Sequence, residues 1–303
     1  MKNVTIFKIR EDALAKVLTS IEQGSELFEE FKFKPLGDTE QRKLGFVVPK
    51  TISKSVDPLY VDTFNKGFLL EIKEQKKTPE KYLVEELIAT MTETELSLNG
   101  EEKLSKAVEE RIKIEATQEI LKNTSPKKPN FYNIYINSKG LVFVEAKGKL
   151  TEDIIALIRK SIGSLPCVPL VSAGDFEPSK VSDLLDGLVT EKITGKFTLG
   201  NKASLTSPEG VKYSLSKGSL YDSDADNNVS HNDFMVNSIE LEYDGAVKFT
   251  LDDGLVLSGV KFDKDFFTKE ELSDEAGTLV LKVQELSGVI AYLQELLIEE
   301  QGD

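Results

Sequence analysis

Glu145 and Lys147 stand two apart in the run Val144-Glu145-Ala146-Lys147. On a strand both side chains would share a face, where a carboxylate and an ammonium can hold a magnesium ion and orient a water for attack on a phosphodiester. Such a site also takes an upstream acid, most often an aspartate, and there is none between Asp62 and Asp153. Nucleophilic catalysis has little material. His231, the single histidine, sits in the polar stretch Asn228-Val-Ser-His-Asn-Asp233, and Cys167, the single cysteine, lies between Pro166 and Pro169 with no base beside it. Asp222, Asp224, Asp226 and Asp233 fall at positions 1, 3, 5 and 12 of a calcium-loop pattern. Position 6 is Asn227 instead of glycine, position 12 is a short aspartate, and neither flank reads as a helix. A solvated acidic loop is the better reading. No catalytic residue, metal site or cofactor is expected.

A different chemistry is suggested between Lys122 and Lys149. Lys122, Lys127, Lys128, Lys139, Lys147 and Lys149 face a single acid, Glu145, with Phe131, Tyr132 and Tyr135 interleaved. Lysines neutralise phosphates and aromatics can stack on bases. A solvated loop followed by a strand with core-facing aromatics explains the same residues equally well. Arg159 with Lys160, and Lys212 with Lys217, are the next cationic pairs.

Charge limits where such a surface can lie. The net charge is -14, yet residues 1–170 hold 27 basic and 26 acidic side chains while 171–303 hold 11 and 26. Any phosphate-binding surface should therefore gather in the first part. One histidine and one cysteine exclude the usual zinc sites, which take about four such ligands, and a disulfide framework. The charged start and the lack of any run near the ~18 apolar residues of a membrane span lead us to expect a cytoplasmic protein with no targeting segment and no membrane partner.

The elements that must position these residues read as an α+β fold of mixed antiparallel sheets with packed helices and a helical subdomain. Val4–Ile9 is an expected strand, followed by a helix from about Asp12 to Phe28. Gly45–Pro49 and Leu59–Ile72 read as strands, the latter broken at Asn65-Lys-Gly67, where Gly67 suits a positive backbone angle. Residues 78–121 are helical, with stripes Leu83, Leu87, Met91 and Leu104, Val108, Ile112, divided at Asn99-Gly100. Phe131–Asn137 and Leu141–Glu145 form a hairpin. A helix follows, capped by Thr151, stapled by Leu150 and Ile155 and ended by Gly163. Ile239–Tyr243, Val247–Leu251 and Leu255–Phe262 form a meander, and a final amphipathic helix spans about Leu279–Ile298. Its Leu286, Ile290, Leu293 and Leu297 suit either core or a dimer interface. This divides the chain into an α/β part (1–76), a helical subdomain (77–125), a hairpin-helix part (126–170) and an acidic β-rich part (171–303).

Ala156-Leu-Ile-Arg-Lys-Ser-Ile-Gly-Ser-Leu-Pro-Cys-Val-Pro-Leu170 closely resembles the signature segment of the recombination-associated RdgC family. Phe33–Asp38 with Lys43–Pro49, Leu241–Phe262 and Glu285–Ile290 resemble further blocks of that family in the same order. The resemblance implies a non-catalytic, sequence-independent double-stranded DNA-binding protein of the nucleoid. In that family two subunits close into a ring around the duplex and shield it from a RecA-type recombinase. The family's proline-arginine-alanine-phenylalanine step, whose phenylalanine helps latch the ring, is replaced here by Asn123-Thr-Ser-Pro-Lys-Lys-Pro. A ring further requires a basic interior, for which Lys127, Lys128, Lys139 and Lys217 are expected to face one groove. Two alternatives stand beside this reading: a metal-dependent exonuclease using Glu145 and Lys147, and an acidic antagonist that binds a recombinase directly.

Overall fold

A computed structural model of the chain describes all residues except 24, 50–56, 58, 63–65, 101, 175, 191–194, 221–223, 269–274 and 300–303. It is an α+β protein that divides into two units, Met1–Glu30 with Val48–Glu71 and Asn133–Asp303, and Phe31–Val47 with Ile72–Tyr132. Both units draw on separated stretches of chain. Of the four expected segments, 77–125 lies whole within the second unit and 171–303 whole within the first.

The first unit is built on β1 (Asn3–Ile9), β6 (Leu141–Val144), β7 (Cys167–Pro169), β8 (Phe197–Thr206), β9 (Lys212–Leu215), β10 (Met235–Tyr243), β11 (Val247–Asp252) and β12 (Leu257–Phe262). They run in the order β6-β1-β12-β11-β10-β8-β9, with β7 also on β1. The pairs are antiparallel, with Val4 opposite Leu257 and Leu241 opposite Phe249. Burial alternates strictly along β11: Val247, Phe249 and Leu251 are buried, while Lys248, Thr250 and Asp252 between them are half-buried. That period of two gives the sheet one apolar and one polar face. The meander expected from the sequence is thus observed.

The apolar face is covered by α6 (Pro178–Thr190) and by the closing helix α8 (Glu275–Glu299). Phe197, Tyr243, Phe249 and Tyr292 form an aromatic cluster there, with neighbouring ring centroids 5.1 to 6.3 Å apart. Leu286, Ile290, Leu293 and Leu297, weighed as a dimer interface, are 0, 3, 0 and 1% exposed. They belong to the subunit's own core, because the apolar sheet face needs this stripe as its cover, and they offer no free apolar face to a second copy.

The single helix expected over residues 12–28 is two, α1 (Glu11–Gln23) and α2 (Ser25–Glu30). Both pack against α5 (Lys149–Ile162), which buries Ile154, Ile155, Ile158 and Ile162. Gly163 ends α5 with φ 77°, as expected. Its start is corrected: Gly148 is the N-cap, and Thr151 lies inside the helix, buried and 2% exposed.

β5 (Asn130–Ile136) pairs with β6 in the expected hairpin, and β3 (Leu59–Asp62) pairs with β4 (Gly67–Lys76). β4 and β5 carry the chain between the units. In the turn before β4 the positive φ falls on Lys66 (52°), not on Gly67, and Asn65 lies outside the described residues. Gly67 serves closeness instead: a Cβ there would meet the Tyr135 hydroxyl at 2.1 Å.

The second unit holds β2 (Arg42–Val47) and the helical hairpin α3 (Lys81–Asn99) and α4 (Lys106–Asn123), divided at Gly100 as expected. Ile112, Ala116 and Leu121 of α4 are buried, whereas the α3 stripe Leu83, Leu87, Met91 is only half-buried. Polar groups fix the rest. The buried Lys77 ammonium donates to the carbonyls of Gly37, Asp38 and Leu121 at 3.1 to 3.3 Å. Glu74, 1% exposed, accepts from Arg42 Nε at 2.6 Å, Lys76 Nζ at 3.0 Å and Tyr132 Oη at 3.0 Å.

Burial works to raise the pKa of Glu74, but its hydrogen bonds from Lys76, Arg42 and Tyr132 outweigh this and hold it below the ordinary carboxylate value. Tyr132 is pushed up to about 12 by burial and by the Glu74 charge. A carboxyl with a lowered folded pKa stabilises the fold above its unfolded value of about 4.3, and that stability is lost as pH falls through the folded value. Glu74→Gln should therefore lower stability at pH 7 by roughly 2 kcal/mol, because two cations lose their counter-charge. It should also flatten the fall in Tm between about pH 5 and 3. Thermal unfolding at several pH values reads both; an unchanged acid limb would assign no role to this carboxylate.

Candidate nucleic-acid interface

The polar face of the first unit's sheet repeats one pattern across five strands. Alternate residues facing away from the core are hydroxyls or charges. Ser204 lies opposite Ser214, and Thr206 opposite Lys212. Glu242 lies opposite Lys248, Lys248 opposite Lys261, and Thr250 opposite Ser258. Lys202, Lys212, Ser214 and Lys261 are exposed, and the remaining residues of this set are half-buried.

At its centre is Glu240, 6% exposed. It accepts from Lys202 Nζ at 2.8 Å, Lys248 Nζ at 3.2 Å and the Asn201 N–H at 2.9 Å. Gly200 leaves the room: a Cβ there would meet a Glu240 carboxylate oxygen at 2.6 Å. Burial raises the Glu240 pKa, but the two ammonium groups and the Asn201 N–H prevail and keep it below the usual value. The one buried acid is thus neutralised, while Lys212 and Lys261 make no ion pair with a described residue. Hydroxyl donors and ammonium groups are the groups that contact a phosphate backbone.

Of the cations expected from the sequence, Lys212 lies on this face. Lys217 follows the end of β9. Lys147 lies just past β6, close enough that its charge acts on Asp252, whose pKa burial nevertheless raises. Lys149 and Lys160 stand eleven residues apart on α5, thus on one side and roughly 16 Å apart, with Arg159 adjacent and donating to the Leu165 carbonyl at 3.4 Å. Lys139 is in the β5–β6 turn, at the opposite end of β6 from Lys147. It is tied to β1 through Lys8, whereas Lys217 lies beyond β9, five strands away in the sheet order, about 24 Å at ordinary strand spacing. Lys122, Lys127 and Lys128 belong to the second unit. Lys122 pairs with Glu119 at 2.7 Å, and the Lys127 N–H donates to the Lys76 carbonyl at 2.8 Å. Residues 124–129 form no regular element.

Tyr135, 3% exposed, is a core residue, and Tyr132 is half-buried with its hydroxyl donating to Glu74. Glu145 and Lys147 lie beyond the end of β6, not on a strand as supposed. The Glu145 carboxylate takes the Met1 ammonium at 3.1 Å and the Asn133 side-chain amide at 2.8 Å. The polar stretch around His231 is not a loop: α7 (Ala225–Asn232) runs through it with Asp233 in the left-handed region. Asp222 of the calcium pattern lies outside the described residues, and among those described no three potential metal-ligating side chains converge. Burial pushes the Cys167 thiol up to about 11 despite Arg159 nearby, which leaves it protonated and unreactive near neutral pH.

Lys202, Lys248 and Lys261 were not singled out from the sequence, because they lie in the acidic part and no two are close in the chain. The available signal was the period of two: the positions between apolar residues include Lys202, Ser204 and Thr206 in β8, Lys248 and Thr250 in β11, and Ser258 and Lys261 in β12, while β10 supplies Glu240 and Glu242.

The chain is thus an α+β protein whose first unit presents a hydroxyl- and lysine-bearing sheet face. The family model described as "Putative exonuclease, RdgC" matches residues 1–300. The chain belongs to the RdgC family. It is similar to the Recombination-associated protein RdgC of Mannheimia succiniciproducens, 26% identical with 99% of this chain and 97% of that protein covered. The protein of the same name from Colwellia psychrerythraea is 28% identical over 77% of this chain and 74% of its own length. That of Psychromonas ingrahamii is 25% identical over 86% and 83%. No helix among the described residues is long and apolar enough to cross a membrane.

Proposed function

We propose that this protein binds double-stranded DNA without reading its sequence and modulates recombination by occupying the duplex, with no reaction of its own. The observation that carries the reading is the polar sheet face, where β8, β9, β11 and β12 present lysines and hydroxyls, Glu242 of β10 lies opposite Lys248, and the buried Glu240 is neutralised by two lysines. The relatives' shared name, recombination-associated, supports the setting. Glu145 and Lys147 lie past the end of β6, off the shared strand face on which the metal reading was built, which favours binding over hydrolysis. Two subunits closing round the duplex, and competition with a RecA-type recombinase for the same DNA, complete the proposal.

Fluorescence anisotropy with duplexes of unrelated sequence tests it. Affinity should be the same for all of them and fall steeply with salt, as phosphate contacts require. In parallel, end-labelled DNA incubated with magnesium or manganese should remain intact. Degradation that disappears in Glu145→Gln would establish the exonuclease instead, and absence of duplex affinity even at low salt would remove the DNA reading.

A further inference from the structure

We propose a second binding site in the first unit, a cleft that takes a short acidic peptide with apolar side chains. The cleft has a volume of about 840 Å³ and lies between the end of β1, the β5–β6 turn, the segment after β7 and α8. The size is in the range of ligand-binding clefts, about 300–1,000 Å³. Its floor is apolar, with Val168, Leu170, Phe176 and Ile290 among its lining residues.

The mouth is cationic. Lys8, Arg10 and Lys139 line it, against Glu11 as the single acid among the described lining residues. Lys8 Nζ donates to the Lys139 carbonyl at 2.8 Å, which holds strand end and turn together at the lip. Arg10 is paired with Asp12 at 2.9 Å and Glu11 offsets a further charge, so about one net positive charge remains at the lip, carried by Lys8 and Lys139, which make no ion pair with a described residue. In a chain of net charge -14 this concentration beside an apolar floor selects for a ligand of opposite character.

Shape decides the class of ligand. Gln284, Ser287, Ala291 and Gln294 line the cleft along α8 at intervals of three and four residues, a span of roughly 15 Å. That accommodates four or five residues of extended chain at about 3.3 Å each. A duplex, roughly 20 Å wide, has no apolar groups to seat on the floor and cannot enter, so this site is separate from the sheet face and does not rest on the DNA reading. Aliphatic or aromatic side chains of the peptide fill the floor and its carboxylates meet Lys8 and Lys139.

The probe is a fluorescein-labelled hexapeptide of three aspartates followed by two leucines and a phenylalanine, titrated with the full chain and read by anisotropy. Micromolar binding is expected, weakened at least about tenfold, or about 1.4 kcal/mol, when lysines replace the aspartates. Lys8→Glu with Lys139→Glu should cause a similar loss. Ala291→Trp, at an exposed α8 position, should block the floor with an unchanged circular dichroism spectrum. If that variant misfolds, the charge reversal alone decides. Saturating duplex should leave the peptide bound. No binding at millimolar protein, parental affinity in the charge-reversed variant, or displacement by duplex would each overturn the proposal.

Discussion

Replacing Lys212 and Lys261 together by alanine should weaken binding to every duplex sequence by about 60-fold at 0.1 M salt, with the deficit vanishing towards 1 M. The size follows from counterion release: each phosphate contact contributes a slope of about -0.9 in log affinity against log salt, so two lost contacts remove about 1.8 from the slope. These two lysines are the choice because both are exposed and neither makes an ion pair with a described residue, so the fold should change by no more than about 0.5 kcal/mol. Lys202 and Lys248 are unsuitable, since removing either exposes the charge of Glu240 and mixes stability with binding. A salt series by anisotropy gives both affinity and slope. An unchanged slope would take the duplex off this face; the lysines of α5, or Lys127 and Lys128 in the second unit, would then be the next to change.

How much of this could be read in the sequence depends on the kind of signal each element left. The β10–β12 meander and the β5–β6 hairpin were legible because a sheet with one buried face imposes a period of two, and turn residues such as Gly140 mark the reversals. The α3–α4 division was legible because Gly100 alone there takes a left-handed conformation cheaply. The start of α5 was misread at Thr151: a threonine with helix-compatible neighbours looks like a cap, but Gly148 is the N-cap, the helix begins at Lys149, and the threonine is buried within its first turn. The helix α7 was missed because a run of aspartate and asparagine reads as a loop by local propensity, while Ala225, 0% exposed, gives it an anchor that only the tertiary fold reveals.

Charge summed along the chain and charge sorted by sheet face point to different surfaces. Summed over residues 171–303 the chain is strongly acidic, which directed attention to Lys122–Lys149. Strand alternation sorts charges by face, not by segment, and the sum cannot register that. Glu240, counted among the acids, is covered by two lysines from neighbouring strands, β8 and β11, that stand 38 and 8 positions away in the chain. Cross-strand neighbours, not sequence neighbours, decide whether a surface attracts phosphate.

Leu286→Ala and Leu293→Ala, two turns apart on α8, should each cost the subunit roughly 2–5 kcal/mol, the range for a leucine removed from a packed core. Both side chains are 0% exposed and lie among the sheet residues Leu241, Phe249 and Leu251 and the α6 residues Leu184 and Leu188. This burial distinguishes core from interface by a measurement that does not depend on knowing the oligomeric state. If the stripe serves the subunit, each variant shifts the denaturant midpoint by the same amount at low and high protein concentration, and the far-ultraviolet signal is lost in the same transition. If it served an interface, the shift would shrink with rising concentration, because association adds a mass-action term to stability. The alternation of β11 favours the first outcome: Phe249 and Leu251 point to the side that α8 covers, and removing that cover would expose them to water. A dimer formed by this protein must therefore use surfaces other than the four residues that the helical pattern first suggested.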